Sequence, residues 1–286
     1  LLRERLPKLG ITTTFVEGTA EAYAAAITPR TRLLYVETPA NPTLAIVDLD
    51  AVAKLRPRDG FVLVDGTFAT PFAQTPLTVG AAGARAADLV VHSMTKGLGG
   101  HGDVIAGVVL GGKALIDGVR DTVIKGFGGI LPPLSAWLVA RGLRTFALRQ
   151  RQSCETAALL AARLREHPRI AAVHHPSVAS HPGHALAARQ MHAFGTLLSF
   201  ELTATAEESA LDAGRRVLES VRTITHAVSL GDVRSLLTHP ASTTHSTMPR
   251  SDREAAGISD GLLRLSVGIE SAADLWNDLA QSMART

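Results

Sequence analysis

The sequence predicts an α/β fold: a large first domain with a mostly parallel sheet, then a smaller α+β domain. Three observations carry this. Short, nearly continuous apolar runs alternate with helix-like stretches through the first part of the chain, which suits strands buried on both faces of a parallel sheet. The pattern then gives way at LPPL (131–134) to a long amphipathic run ending before Pro168. Beyond it, strand-like and helix-like segments mix without strict alternation.

In chain order, residues 1–8 read as the polar end of a helix. Because Leu1 is not a start Met, further chain is expected upstream. ITTTFVE (11–17) reads as a strand and TAEAYAAAI (19–27) as a helix capped by Thr19. TRLLYVE (31–37) is a strand, DLDAVAKLR (48–56) a helix, and FVLVD (61–65), ADLVVHS (87–93) and DVIAGVVL (103–110) are further strands. From Ser135 to about Glu166 the spacing predicts a long helix that bridges two domains. IAAVHH (170–175), a helix over 184–191, GTLLSFEL (195–202), a helix over 206–220, VRTITHAVSL (221–230), LLRLSVG (262–268) and a helix over 271–283 complete the chain. The boundary is placed near Thr145, giving domains 1–145 and 146–286.

Composition narrows the function classes. The net charge is +3 with basic and acidic residues interleaved, which argues against a nucleic-acid partner. No apolar run is long enough to span a bilayer, so no membrane partner is expected. Cys154 is the only cysteine, so the chain can form no internal disulfide; a cytoplasmic location is the default, and Cys154 reads as a helix residue. The histidines make no strong ligand spacing, and no metal is expected.

The chemistry-bearing residues fall at strand ends, where open α/β sheets bind ligands. Lys96 follows a buried strand in VVHSMTKGLGGHG, and desolvation there would lower its pKa and free the amine as a nucleophile. A solvated loop lysine is the alternative. Ser93 and Thr95 flank it, and two hydroxyls beside glycine-rich backbone suit a phosphate. GLGGHG has the wrong spacing for a dinucleotide loop. Asp65, ending FVLVD, needs a partner; a protonated pyridine nitrogen would serve, and so would capping of the turn at Gly66–Thr67. Glu37 ends another strand. Arg264 interrupts an apolar strand, which suits either a bound carboxylate or an internal salt bridge.

TRLLYVETPANPT, VDGTFATPF, VVHSMTKGLGGHGDVIAGVV, RGLRTFALR, AVSLGDVRSLLTHPASTTHS and GISDGLLRLSVGIE together resemble the Cys/Met-metabolism (trans-sulfuration) family of pyridoxal 5'-phosphate (PLP) enzymes, and its methionine γ-lyase branch most of all. The resemblance implies the aspartate-aminotransferase-like fold (fold type I). It implies that Lys96 carries PLP as a Schiff base and shuttles protons, and that Asp65 pairs with the pyridine nitrogen. Ser93 and Thr95 would hold phosphate oxygens, and Asn41 would lie near the ring hydroxyl. Ser229 and Arg264 would bind the substrate carboxylate, with Thr244 close by and Glu37 in the same wall. The implied activity is a carbon–sulfur lyase on a small sulfur amino acid: methionine α,γ-elimination, or else γ-replacement on an activated homoserine, or cystathionine cleavage. The implied assembly is a homotetramer, a dimer of dimers.

Val228 stands before Ser229 where some cystathionine-processing relatives have Glu, and HGDVIAG also favours the lyase branch. Gly66 replaces the family's usual Asn, and Gly97 replaces an aromatic. GAAGARAADLV is about six residues longer than the family's segment. The family's phosphate loop, ring-stacking aromatic and cross-dimer Tyr and Arg precede these motifs, and are expected upstream of Leu1.

Overall fold

The computed structural model describes residues 2–78 and 85–284. Residues 80–84 of the lengthened GAAGARAADLV segment lie outside the described residues, and 85–90 lie within them.

The first part of the chain builds a four-stranded sheet in the order β1-β2-β3-β4. α1 (Ala20–Ala26) is capped by Thr19, whose hydroxyl accepts from Ala22 N at 3.2 Å. β1 (Leu33–Glu37), α2 (Leu49–Ala53), β2 (Phe61–Asp65), α3 (Thr70–Ala73) and β3 (Leu89–Ser93) follow. β1, β2 and β3 are parallel, and β4 (Gly107–Gly111) closes the edge antiparallel to β3. Burial on both faces does not hold. Val36, Val62, Val64 and Val90 pack on one face with Leu49 and Val52 of α2. The other face is open: Leu33, Tyr35 and Phe61 are 46%, 42% and 39% exposed.

ITTTFVE forms no strand and no helix, so it is not the strand its composition suggests. Its Thr-rich side chains are exposed, and a strand without a ladder partner has nothing to hold it. The first residues form turns and a short 3-10 segment, Leu6–Leu9, rather than an α-helix. DVIAGVVL enters the sheet only from Gly107.

α4 (Lys113–Val119) and a π-helical turn (Arg120–Gly126) follow β4, so Lys125 is helical and pairs with Asp121. The long amphipathic run is two helices, α5 (Pro133–Leu143) and α6 (Phe146–Arg165), with the chain turning at Arg144 and Thr145. Gly142 sets the approach of α5. A Cβ there would lie 2.4 Å from Gly99 O, so only glycine lets the helix pack on the loop that follows Lys96.

The remainder comprises β5 (Ile170–His174), α7 (His184–Gln190), β6 (Leu197–Leu202), α8 (Ala210–Ser220), β7 (Thr225–His226), β8 (Leu236–Thr238), α9 (Arg250–Ala255), β9 (Leu262–Ser266) and α10 (Ala272–Ala284). Its sheet has the order β5-β6-β9-β8-β7 and is antiparallel except for the β7–β8 pair. Leu160 and Leu164 of α6, Phe200, Leu263, Leu265, and Leu275 and Leu279 of α10 form its core, all fully buried. At about 25 cal/mol per Å² of apolar surface removed from water, such side chains are each worth about 1.5–3 kcal/mol.

Candidate active site

The parallel strands bring Glu37, Asp65 and Ser93 to the same edge, because each is the last residue of its strand. Glu37 and Asp65 are register partners. Immediately beyond β3 the chain enters a π-helical turn, Met94–Leu98, in which Lys96 has non-helical torsions (φ −95°, ψ −141°). This break turns the lysine toward the second sheet. Its Nζ donates to Ser229 Oγ at 2.9 Å.

Three contacts hold Lys96 there. Gly231 (φ +74°) lets the Ser229 loop touch the lysine turn; a Cβ on it would lie 2.4 Å from Gly97 N. Arg149, 7% exposed, donates to the carbonyls of Gly97 at 3.1 Å, Leu98 at 3.3 Å and Gly142 at 2.9 Å. Gly231 N donates to Ser266 Oγ at 2.8 Å, anchoring the loop on β9. Neither Arg149 nor Gly231 was singled out from sequence. Arg149 sits in RGLRTFALR, on the helix face that also buries Gln150 and Ser153, and a charged residue on a buried face is the signal that would have found it.

Arg264, only 4% exposed, lies in the middle of β9. Its Nη1 donates to Asn41 Oδ1 at 2.8 Å, and its Nη2 to the carbonyls of Val228 and Ser229, both at 3.1 Å. Its Nε is buried without a partner, and no salt bridge reaches it among the described residues. Burial pushes its pKa down to about 10. A buried guanidinium with no counter-ion is a site for an anion. The internal salt-bridge alternative is therefore not what forms. Burial also lowers the Lys96 pKa, and the Arg264 charge lowers it further, which favours the neutral amine.

Asp65 Oδ1 accepts from Thr67 N at 3.0 Å, so the carboxylate does cap its own turn, while Oδ2 accepts from Tyr35 Oη at 3.0 Å. Thr67 Oγ1 accepts from Ser93 N at 3.0 Å and ties this turn to the lysine strand. The Ser93 hydroxyl makes no hydrogen bond among the described residues, whereas Thr95 Oγ1 is engaged with Ala106 N at 3.0 Å. Glu37 Oε1 accepts from Asn41 N at 3.0 Å. Thr244 is exposed and bonds its neighbour His245 at 2.8 Å, with no bond to Ser229 or Arg264. A cleft of about 430 Å³ opens beside the lysine turn, lined by Thr95, Asp103, Ile105, Ser229, Asp232 and Arg234.

The two departures at glycine have local explanations. A Cβ at Gly66 would lie 2.7 Å from His92 Cε1, so the buried His92 ring occupies that space. At Gly97 a Cβ would meet Gln150 Nε2 at 3.1 Å and Thr70 Cγ2 at 3.2 Å. Cys154 is half-buried in α6, and burial pushes its thiol up to about 12, so it is inert at neutral pH.

A neutral-leaning lysine, a carboxylate on the neighbouring strand end, a free hydroxyl and an arginine lacking a counter-ion fit PLP and an amino-acid carboxylate. Together with the fold they define a PLP-dependent carbon–sulfur lyase of fold type I. The chain belongs to the Cys/Met metabolism PLP-dependent enzyme family, whose sequence profile matches residues 1–284. It is 43% identical to an L-methionine gamma-lyase of Fusobacterium nucleatum subsp. polymorphum, over 100% of this chain and 70% of that protein. It is 41% identical to a cystathionine gamma-lyase of Bacillus subtilis, over 96% of this chain and 71% of that protein. The crystal structure of cystathionine gamma-lyase from Lactobacillus plantarum complexed with L-serine superposes with a TM-score of 0.90 at 37% identity, over 99% of this chain and 72% of that one. No helix among the described residues is long and apolar enough to cross a membrane.

Proposed function

We propose that the chain carries PLP on Lys96 and eliminates the γ-methylthio group of methionine as methanethiol, giving 2-oxobutanoate and ammonia with uptake of water. The observation that carries the reading is the convergence of Lys96 Nζ on Ser229, 2.9 Å away, beside an Arg264 that has no carboxylate partner.

When bound, PLP supplies an electron sink for the bonding pair of the substrate α-carbon. Asp65 would hold a proton on the ring nitrogen, and the Ser93 and Thr95 hydroxyls would bind the phosphate. Asn41 orients the Arg264 guanidinium through its 2.8 Å bond and would lie near the ring hydroxyl. Arg264 grips the substrate carboxylate bidentately, with Ser229 and Thr244 alongside and Glu37 in the wall. Lys96 Nζ, steered by Ser229, takes the α-proton. Val228, 58% exposed beside Ser229, offers an apolar contact to a thioether.

The second reading is cystathionine cleavage or γ-replacement on an O-acyl homoserine. Cystathionine lyases among the relatives favour it, since one matches at 41% identity. Measuring 2-oxobutanoate from methionine, with and without an added thiol, separates the two. Thiol-independent 2-oxobutanoate is expected. A product formed only when thiol is present would refute elimination.

Division near Thr145, which lies between α5 and α6, is part of the same proposal, and the separate cores of the two sheets support it. So are a cytoplasmic location and assembly as a homotetramer. The exposed side chains of Phe127, Ile130, Leu134 and Trp137 support assembly.

A further inference from the structure

We propose that Tyr35 is a positioning residue for Asp65: its phenol hydrogen bond holds the carboxylate in place, so that the carboxylate keeps a proton on the cofactor ring nitrogen. This rests on the reading of Asp65 as the partner of that nitrogen.

The register places the pair. Tyr35 is opposite Leu63, and Glu37 is opposite Asp65, so the tyrosine reaches Asp65 diagonally along the sheet. It arrives from the middle of the strand, and a ligand at the carboxyl edge arrives from beyond the end. The phenol therefore contacts the carboxylate without standing where the ring must sit. The Tyr35 Oη–Asp65 Oδ2 distance is 3.0 Å. Oδ1 is taken by Thr67 N at 3.0 Å. An ionised carboxylate offers about four acceptor sites, so these two donors leave room for a ring N–H.

The tyrosine is itself fixed. Tyr23 Oη donates to the Tyr35 carbonyl at 2.8 Å, tying α1 to β1 at this residue. Burial, the charge of Asp65 and, to a smaller degree, that of Glu37 push the phenol pKa well up. It stays a donor over the whole working pH range.

Tyr35 Oη and Thr67 N hold the two oxygens, so the carboxylate presents its remaining acceptor sites beyond the strand end. A carboxylate fixed there favours the protonated ring nitrogen. Without the phenol, Oδ2 is free to turn and the ion pair weakens, by about tenfold in the proton affinity of the ring nitrogen. The ring nitrogen then loses its proton at correspondingly lower pH.

The test is the ¹⁵N resonance of ring-labelled PLP, which separates pyridinium from pyridine, followed against pH in the cofactor-loaded protein. Tyr35→Phe keeps the ring and its packing and removes only the hydroxyl. Its ring-nitrogen midpoint is expected about one pH unit lower than in the parent, and an unchanged midpoint overturns the inference. Asp65→Asn is the control on the underlying reading. If it leaves the ring protonated, the assignment of Asp65 fails and the inference falls with it. If Asp65→Asn deprotonates the ring but Tyr35→Phe does not, only the inference fails. A tyrosine that serves only packing would leave the ring-nitrogen midpoint alone.

Discussion

Arg264→Met removes the guanidinium while keeping most of the side-chain volume. Arg264 is 4% exposed, its Nε has no partner, and its other donors meet only Asn41, Val228 and Ser229. A hydrogen bond to a charged group is worth about 1.5–3 kcal/mol. A bidentate grip on the substrate carboxylate therefore supplies at least about 3 kcal/mol, or about 100-fold in kcat/KM. The fold should tolerate the change. Three neutral acceptors lose a donor, at about 1 kcal/mol each, but an unpaired buried charge is also removed, and these effects oppose each other. The expected result is a KM for methionine raised about 100-fold, with the cofactor absorption band and the melting temperature nearly unchanged. Arg264→Lys should recover only part, because an ammonium restores the charge without the fork. The assay is initial-rate kinetics over a wide methionine range. A KM within about twofold of the parent would refute the carboxylate assignment.

Gly231→Ala should cost at least about 2 kcal/mol, because the backbone is left-handed and the new methyl meets Gly97 N at 2.4 Å. Thermal unfolding should report the loss and cofactor titration a displaced Lys96; a variant equal to the parent in both contradicts the close approach. Arg149→Met leaves the carbonyls of Gly97, Leu98 and Gly142 without their donor, at about 1–3 kcal/mol each. It should lose cofactor affinity along with stability, and retention of both in a denaturant titration would show that the clamp is dispensable. His175 is fully buried with its Nε2 unpartnered, and burial pushes its pKa down to about 4 from 6.5. The unfolded chain then binds the proton first, so stability falls as pH drops from 6.5 toward 4, by about 3 kcal/mol in total. His175→Asn should flatten that slope in pH-dependent denaturation, and an unaltered slope would place the acid sensitivity elsewhere.

The strands that carry the site were legible because each is a short apolar run ending in a polar residue. FVLVD is β2 residue for residue, and β1 and β3 lie inside their expected ranges. The short strands were not legible. β7 and β8 hold two and three residues, too few for any period to register. Residues 11–17 show the opposite failure, since β-propensity without a neighbouring strand forms nothing. The break between α5 and α6 was hidden because helical periodicity runs through Arg144 and Thr145, and only the contact of Gly142 with Gly99 marks the turn. In the site, Lys96, Asp65 and Arg264 stood out as polar residues in apolar settings. Tyr35, Thr67, Arg149 and Gly231 did not, because their roles are partnerships with residues distant in sequence, which one-dimensional reading does not expose.

The most direct test is reconstitution with PLP of the parent and of Lys96→Ala, each recorded by visible absorption and by intact mass after borohydride reduction. The account predicts that the parent gains the cofactor mass at Lys96 and shows a protein-bound visible band. Lys96→Ala should show neither. A reduced adduct and an unchanged band in Lys96→Ala would contradict the placement of the cofactor on this lysine.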